Sequence, residues 1–185
     1  MKRAVFLDRD GTINFEKEYL YQAEHFEFIP GVLEAIRLLN QAGILVVVVT
    51  NQSGVARGLY TEDFVREAHR YIDQRLKDAG ARVDAFYYCP HHPDGSVAAL
   101  RTECECRKPK PGQLIRAAEE HDIDLTKSFI VGDRWKDIEA GEAVAARGIL
   151  VRTGYGRDQE ETHESRGAMV VDNLIQAVSW ILRQP

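Results

Sequence analysis

No apolar run in the 185-residue sequence is long enough to cross a membrane; the longest, Ile44 to Val49, is the size of a strand. There is no lysine or arginine run and the formal net charge is -5, so neither a nucleic acid nor an anionic lipid surface is an expected partner. Cysteine is scarce, and three is an odd number, which does not make the disulfide framework of a small secreted domain. Internal repeats and low-complexity tracts are also missing. The first residues, Met-Lys-Arg-Ala-Val-Phe-Leu-Asp, have a basic start but lack the long apolar region and small-residue cleavage site of a leader. The expectation is a mature cytoplasmic protein.

What is present is ordinary for a globular chain: 44% hydrophobic and 29% charged residues, enough for one domain, 1–185, with its own core. Strand and helix patterns alternate. Val5-Phe6-Leu7 reads as a short buried strand. Apolar residues at helical spacing follow Pro30-Gly31 and stop at Gly43. Ile44 to Val49 is a continuous β-branched run, expected of a strand covered on both faces. Thr61 offers a cap for a helix reaching Gly80. Val83 to Tyr88, Ser128 to Val131, Ile149 to Val151 and Met169 to Val171 read as further strands, with helices after Pro111-Gly112, after Asp133 and from Leu174 to Leu182. The alternation predicts an α/β fold, a parallel sheet with helices on both sides. The polar stretch from Gly154 to Gly167 is expected to be a mobile surface loop.

In such sheets ligands bind beyond the C-terminal strand ends. There the sequence places Asp8-Arg9-Asp10-Gly11-Thr12, then Thr50-Asn51-Gln52-Ser53, then Gly132-Asp133, with Arg107-Lys108 in the loop before a helix. If strand geometry persisted to Asp10, the two aspartates would share a face about 6–7 Å apart and repel by roughly 2–3 kcal/mol. Asp133 adds a third negative charge, so the cluster calls for a cation. All-oxygen donors favour Mg²⁺, and Mg²⁺ favours a phosphate substrate. The stretch is not an EF-hand loop, because Thr12 stands where the third oxygen ligand belongs. Asp8 then suits a nucleophile, Asp10 a general acid and base, and Thr50 and Lys108 a grip on phosphoryl oxygens.

"DRDGT", Thr50 after an apolar strand, Lys108 and "GDRWKD", in that order, resemble the four motifs of the haloacid dehalogenase (HAD) superfamily of phosphotransferases. The resemblance implies a Rossmann-like three-layer sandwich, an aspartyl-phosphate on Asp8, and Mg²⁺ held by Asp8, Asp133 and the backbone carbonyl of Asp10. Asp137 would be a supporting residue.

The cysteines cluster: Cys89-x-His91 is followed by Cys104-x-Cys106. Three sulfurs and an imidazole suit a closed, structural tetrahedral zinc site. It would pin the long loop 89–108 and so fix Arg107 and Lys108, which follow the last cysteine. Spacing alone leaves His92 open as the imidazole ligand.

Phe15 to Pro30 is too short for an inserted cap domain, so an essentially capless enzyme is expected. Arg57, Arg107, Lys108, Lys110, Arg134 and Lys136 follow strands in an acidic protein, which points to a substrate with a second anionic group. Lys110 and Lys136 are expected to be solvated surface. Within the superfamily, "DRDGTIN", "VVVTNQSGVARG", "YYCPHHP", "CECRKPKPG" and "VGDRWKD" together look like a subgroup of bacterial sugar-bisphosphate phosphatases. That resemblance implies His91 as the zinc ligand. It also implies substrate contacts at Arg9, Glu16, Lys17, Glu18, Tyr19, Asn51, Gln52, Ser53, Arg107 and Arg134. Histidinol-phosphate phosphatases share the aspartates and a similar loop, and a zinc-stabilised binding module without catalysis is the rival of another class. No obvious interface stripe appears, so a monomer is expected.

Overall fold

The structure is a computed structural model that describes residues 1–15, 26–162 and 168–185. The β-branched run forms the core of β2 (Leu45–Asn51). It pairs in parallel with β1 (Ala4–Leu7) on one side and β3 (Ala85–Cys89) on the other. With β4 (Phe129–Gly132), β5 (Arg147–Val151) and β6 (Met169–Val171) the sheet has the order β3-β2-β1-β4-β5-β6, parallel throughout.

Alternation along each strand assigns side chains to the two faces. Val5, Leu7, Val46 and Val48 point to a core shared with α1 (Val32–Gln41), α2 (Glu62–Asp78) and α6 (Leu174–Ile181). Ala4, Phe6, Val47 and Val49 point the other way, onto α3 (Gly112–His121) and α4 (Trp135–Glu142). Each of these valines is fully buried, worth about 1.5–3 kcal/mol of transfer free energy apiece. The result is the expected three-layer α/β sandwich. Thr61 caps α2 as expected, its side chain accepting from the Phe64 amide.

Two expectations need correction. β3 starts at Ala85 rather than Val83, because the Asp84 carboxylate accepts from the Val46 amide at 2.8 Å and stands at the head of the ladder. The strand therefore runs on to Cys89, anchoring that sulfur on the sheet. The stretch from Gly154 onward is not all loop: Gly156–Thr162 is a helix, α5. It has no apolar stripe to announce it. Tertiary bonds hold it, from Trp135 Nε1 to the Gln159 carbonyl (2.7 Å) and from Arg152 to Glu160 (2.6 Å).

After Asp8 the chain turns back and leaves the sheet. Ile29 donates to the Ile13 carbonyl and Phe15 to that of Glu27, both at 3.0 Å, so the two sides of this excursion are hydrogen-bonded at its base. Among the described residues no helix is long and apolar enough to cross a membrane.

Candidate active site

β1 lies between β2 and β4, and β2 and β4 leave it toward opposite halves of the sheet, so their carboxyl ends meet at a topological switch point. Asp8, one residue past β1, donates its amide to the Val131 carbonyl at 2.9 Å, which sets it beside Asp133 at the end of β4. Asp8, Asp133 and Asp137 bring carboxylate oxygens within 4.8 Å of one another, and all three residues are buried. Lys108 enters from the loop before α3. Its ammonium donates to Asp8 Oδ1 (2.8 Å) and the Val49 carbonyl (2.7 Å) and pairs with Asp137 Oδ1 (2.7 Å).

Three buried carboxylates face one fully buried ammonium. Burial, then the charges of Asp8 and Asp137, push the Asp133 carboxyl up to about 8. Burial likewise raises Asp8, against the pull of Lys108. The same two carboxylates hold the Lys108 ammonium well above its ordinary value despite burial. Asp133 Oδ2 accepts from the Tyr155 amide at 2.9 Å, while its Oδ1 is buried with no hydrogen-bond partner among the described residues. A side chain on Gly11 or Gly154 would fall on this carboxylate, and both glycines have positive φ. Excess negative charge, a bare buried oxygen and an all-oxygen donor set fit a Mg²⁺ ion.

Asp10 does not share this cluster. β1 ends at Leu7, and the Arg9 carbonyl accepts from the amides of Thr12, Ile13 and Asn14, curling the chain. The Asp10 carboxylate is thereby carried onto Arg9, which binds it with Nε (3.1 Å) and Nη2 (2.8 Å). Asn14 and Gln52 donate to it as well. These donors outweigh burial and hold the carboxyl below its ordinary range. The predicted repulsion between neighbouring aspartates is therefore relieved by turning one away, and the Arg9 guanidinium is engaged by Asp10.

Gln52 joins this group to β2. Its Nε2 donates to Asp10 Oδ2 (2.8 Å) and Thr50 Oγ1 (2.9 Å), and its Oε1 accepts from the Tyr60 hydroxyl (2.8 Å). Because Thr50 Oγ1 accepts here, its own proton is free to be donated to a phosphoryl oxygen. Asn51 grips the Lys108 backbone at both ends, Nδ2 to its carbonyl (3.0 Å) and Oδ1 from its amide (3.1 Å).

Other predicted residues sit around this centre. Arg107 donates to the His91 carbonyl at 3.4 Å. The Arg134 guanidinium lies 3.7 Å over the Tyr155 ring. Ser53 accepts from the Arg57 amide through its carbonyl. Glu16, Lys17, Glu18 and Tyr19 lie outside the described residues. Lys110 is exposed and paired with Glu105, as expected of surface. Lys136 is not simply solvated. It is half-buried, and burial lowers its ammonium against the pull of Asp137 and Asp8.

The cysteine loop forms a second centre. Cys89, His91, Cys104 and Cys106 bring their ligand atoms within 4.8 Å of one another. Sulfur separations are 3.5 Å (Cys89–Cys104) and 3.3 Å (Cys104–Cys106), and His91 Nδ1 lies 3.7 and 3.5 Å from Cys89 and Cys106. A tetrahedron with metal–sulfur bonds of about 2.3 Å has edges of about 3.6–3.8 Å, so the set is compatible with zinc and too open for a disulfide. His92 is turned away onto Arg57 and the Asp94 amide.

Sequence reasoning missed Gln113 and Tyr155, which act on residues distant in the chain, and Asn14 and Tyr60, which bond Asp10 and Gln52 through turns that have no apolar period. Asp137 was expected only as support, and no local pattern indicated that Lys108 is its partner.

The HAD-hydrolase-like family model matches residues 105–177. The D-glycero-beta-D-manno-heptose-1,7-bisphosphate 7-phosphatase of Escherichia coli (strain K12) is 49% identical over 154 residues, 82% of this chain and 80% of that protein. The enzyme of the same name from Salmonella typhi is 43% identical over 98% of this chain and 96% of its own length. A crystal structure of D,D-heptose 1.7-bisphosphate phosphatase from B. bronchiseptica, complexed with magnesium and phosphate, superimposes with a TM-score of 0.88 at 34% identity, covering 100% of both chains.

Proposed function

The chain belongs to the D-glycero-beta-D-manno-heptose-1,7-bisphosphate 7-phosphatase family of HAD-like hydrolases, and we propose that it removes the 7-phosphate of that sugar through an aspartyl-phosphate on Asp8. The observation that carries the mechanism is the buried Asp8–Lys108–Asp137–Asp133 cluster beside a separately held Asp10.

Asp8, Asp133 and the Asp10 carbonyl would hold Mg²⁺, whose charge lets a phosphate dianion approach a carboxylate. The Asp8 carboxylate attacks phosphorus, and the bond to the C7 oxygen breaks. Lys108 holds Asp8 Oδ1 and so orients the nucleophile. Thr50 donates its free proton to a phosphoryl oxygen. Asp10, protonated at this stage, gives its proton to the departing C7 oxygen. It then takes a proton from the water that attacks the phosphoaspartate, releasing inorganic phosphate and regenerating Asp8. The donors around Asp10 favour its ionised form, which suits this second step. The acid role of the first step requires Asp10 to take up a proton brought in with the substrate and to let go of one of these donors.

Cys89, His91, Cys104 and Cys106 would hold a structural Zn²⁺. Arg107 and Arg134, with Glu16 to Tyr19 and Ser53, are the proposed contacts for the sugar and its 1-phosphate, while Asn51 and Gln52 serve the substrate by holding Lys108, Asp10 and Thr50 in place. The heptose 1-phosphate left behind would enter nucleotide-activated heptose synthesis in the cytoplasm, and the protein would act as a monomer.

Phosphate release should be compared for the beta and alpha anomers of the bisphosphate and for histidinol phosphate, each with Mg²⁺. The expected result is a kcat/KM for the beta bisphosphate higher than for histidinol phosphate by on the order of 10²-fold or more. A preference for histidinol phosphate would overturn the substrate, and unchanged turnover in Asp8→Asn would overturn the mechanism.

A further inference from the structure

The residues that follow the sulfur centre form a closed loop with Lys108 at its tip. Its neck is shut by the Gly112 amide, which donates to the Glu105 carbonyl at 2.9 Å. A side chain on Gly112 would strike that carbonyl. Next to this bond stands Gln113, in the first turn of α3 and only 2% exposed. Its Nε2 donates to the Cys106 carbonyl at 2.8 Å, the carbonyl of a sulfur ligand. The same nitrogen reaches the Thr50 carbonyl at 3.3 Å, and Oε1 accepts from the Thr50 amide at 3.0 Å. One buried amide thus spans the neck of the Lys108 loop and both backbone groups of Thr50, 63 residues away in the chain.

Every polar atom of this side chain is committed, so it has nothing left to offer a substrate. It joins two groups that do face the substrate. Lys108 is placed by its loop, and Thr50 by the end of β2. Asn51 and the Val49 carbonyl already tie Lys108 to β2, and the Gln113 amide is the bond that ties the Thr50 backbone to the carbonyl of Cys106.

We propose that Gln113 is a positioning residue that carries the order of the Cys89/His91/Cys104/Cys106 centre to the end of β2, fixing Thr50 relative to Lys108. The proposal rests on reading the four ligands as a zinc centre and Thr50 with Lys108 as the phosphate grip. It adds the connection between them. Displacing one half of a catalytic grip by about 1 Å can cost on the order of 10²-fold in rate.

The test compares the holoenzyme with Gln113→Met, which keeps length without hydrogen bonds, and Gln113→Glu, which keeps an acceptor for the Thr50 amide but loses the donor to Cys106. Zinc content, kinetics on the bisphosphate with Mg²⁺, and amide hydrogen exchange across residues 49–53 before and after chelation are measured. One zinc per chain is expected throughout. In Gln113→Met, kcat should fall on the order of 10²-fold while KM moves less than about threefold. Chelation should speed exchange at the Thr50 amide several-fold more in the wild type than in either variant, where only the Asn51 and Val49 links to Lys108 remain. If Gln113→Met does not fold, the exchange result in Gln113→Glu decides. Wild-type kcat in Gln113→Met, or equal acceleration at Thr50 on chelation in wild type and variants, would overturn the proposal. A wild type without zinc would sink the metal reading and this inference together. A wild type that holds zinc and shows the exchange coupling, yet hydrolyses no phosphate, would sink only the phosphatase reading.

Discussion

The ammonium of Lys108 and a carboxylate oxygen of Asp137 lie 2.7 Å apart, with neither side chain exposed to solvent. The pair explains how a lysine can sit wholly inside the protein and stay charged. Asp8 and the Val49 carbonyl take its other two protons, so the ammonium is fixed in direction as well as in charge. Asp137 also accepts from the Arg134 amide at the start of α4, which ties the pair to the loop that carries Asp133.

Asp137→Asn should therefore cost more than a surface change. It leaves the buried ammonium with one carboxylate, and breaking a buried pair typically costs about 3–5 kcal/mol. Retention of an amide at the site should bring the loss to the lower end of that range. A fall in kcat of roughly 10–100-fold is expected, because the lysine that orients Asp8 loses its second anchor. Urea unfolding and steady-state kinetics on the same preparation check both numbers. Lys108→Met should do worse on each, since three carboxylates would then face no buried cation.

The sequence shows where such a centre can be but not how it is wired. Ile44 to Val49 has no polar position, so it can only be a strand covered twice, and the residues after it must lie at a sheet edge. The same logic brings Asp8 and Asp133 together, because both follow short buried strands. The Asp10 carboxylate was harder to place. Its direction depends on a turn closed by the Arg9 carbonyl and on donors from Asn14 and Gln52. The Lys108–Asp137 and Gln113–Thr50 contacts have no periodicity at all. Each joins polar groups whose neighbours in the chain look like ordinary loop or helix surface. Helix α5 was missed for a related reason, since bonds from Trp135 and Arg152, rather than an apolar stripe, hold it in place.

Removal of zinc should release the loop, not the sheet. Cys89 is anchored on β3 and Cys106 keeps the Gln113 bond to its carbonyl, whereas the Cys104 side chain is held by the shared centre. Chelation is expected to expose the three thiols to a disulfide reagent, with Cys104 and Cys106 reacting well before buried Cys89. Turnover should drop at least about tenfold and return when zinc is restored under reducing conditions. Magnesium alone should not restore it, because thiolates prefer zinc. Thiol titration beside a phosphate-release assay gives the answer, and full activity with all thiols open would contradict it.

Arg134 over Tyr155 makes a separate prediction about substrate affinity. The guanidinium is stacked 3.7 Å from the ring centroid and has no carboxylate partner among the described residues, so its edge stays available to an anion. Tyr155→Leu should raise KM for the bisphosphate roughly 5- to 30-fold with kcat nearly unchanged, equivalent to about 1–2 kcal/mol of lost orientation. Tyr155→Phe should retain most of the affinity. The backbone bond from residue 155 to Asp133 survives both changes, so a fall in kcat instead of a rise in KM would argue against this role.

His69 gives the clearest dependence of stability on pH. It lies on α2, 7% exposed, stacked 4.8 Å from the Phe86 ring and edge-on to Tyr88, with Nε2 buried and unpartnered among the described residues. Burial, reinforced by the charge of Arg9 and opposed by Asp10, lowers the imidazole from 6.5 to about 3. The folded protein then refuses a proton that the unfolded chain accepts. Stability from this residue is fully present above about pH 6.5 and is lost as the pH falls toward about 3. At roughly 1.4 kcal/mol per pH unit, moving from pH 6.5 to pH 5 should remove about 2 kcal/mol through His69 alone. Other groups titrate in the same range, so the informative quantity is the difference between wild type and His69→Leu across that window. The variant should lose about 2 kcal/mol less than the wild type between the two pH values, measured by urea unfolding. Parallel losses in the two proteins would mean that His69 takes up its proton in the folded state as readily as in the unfolded one.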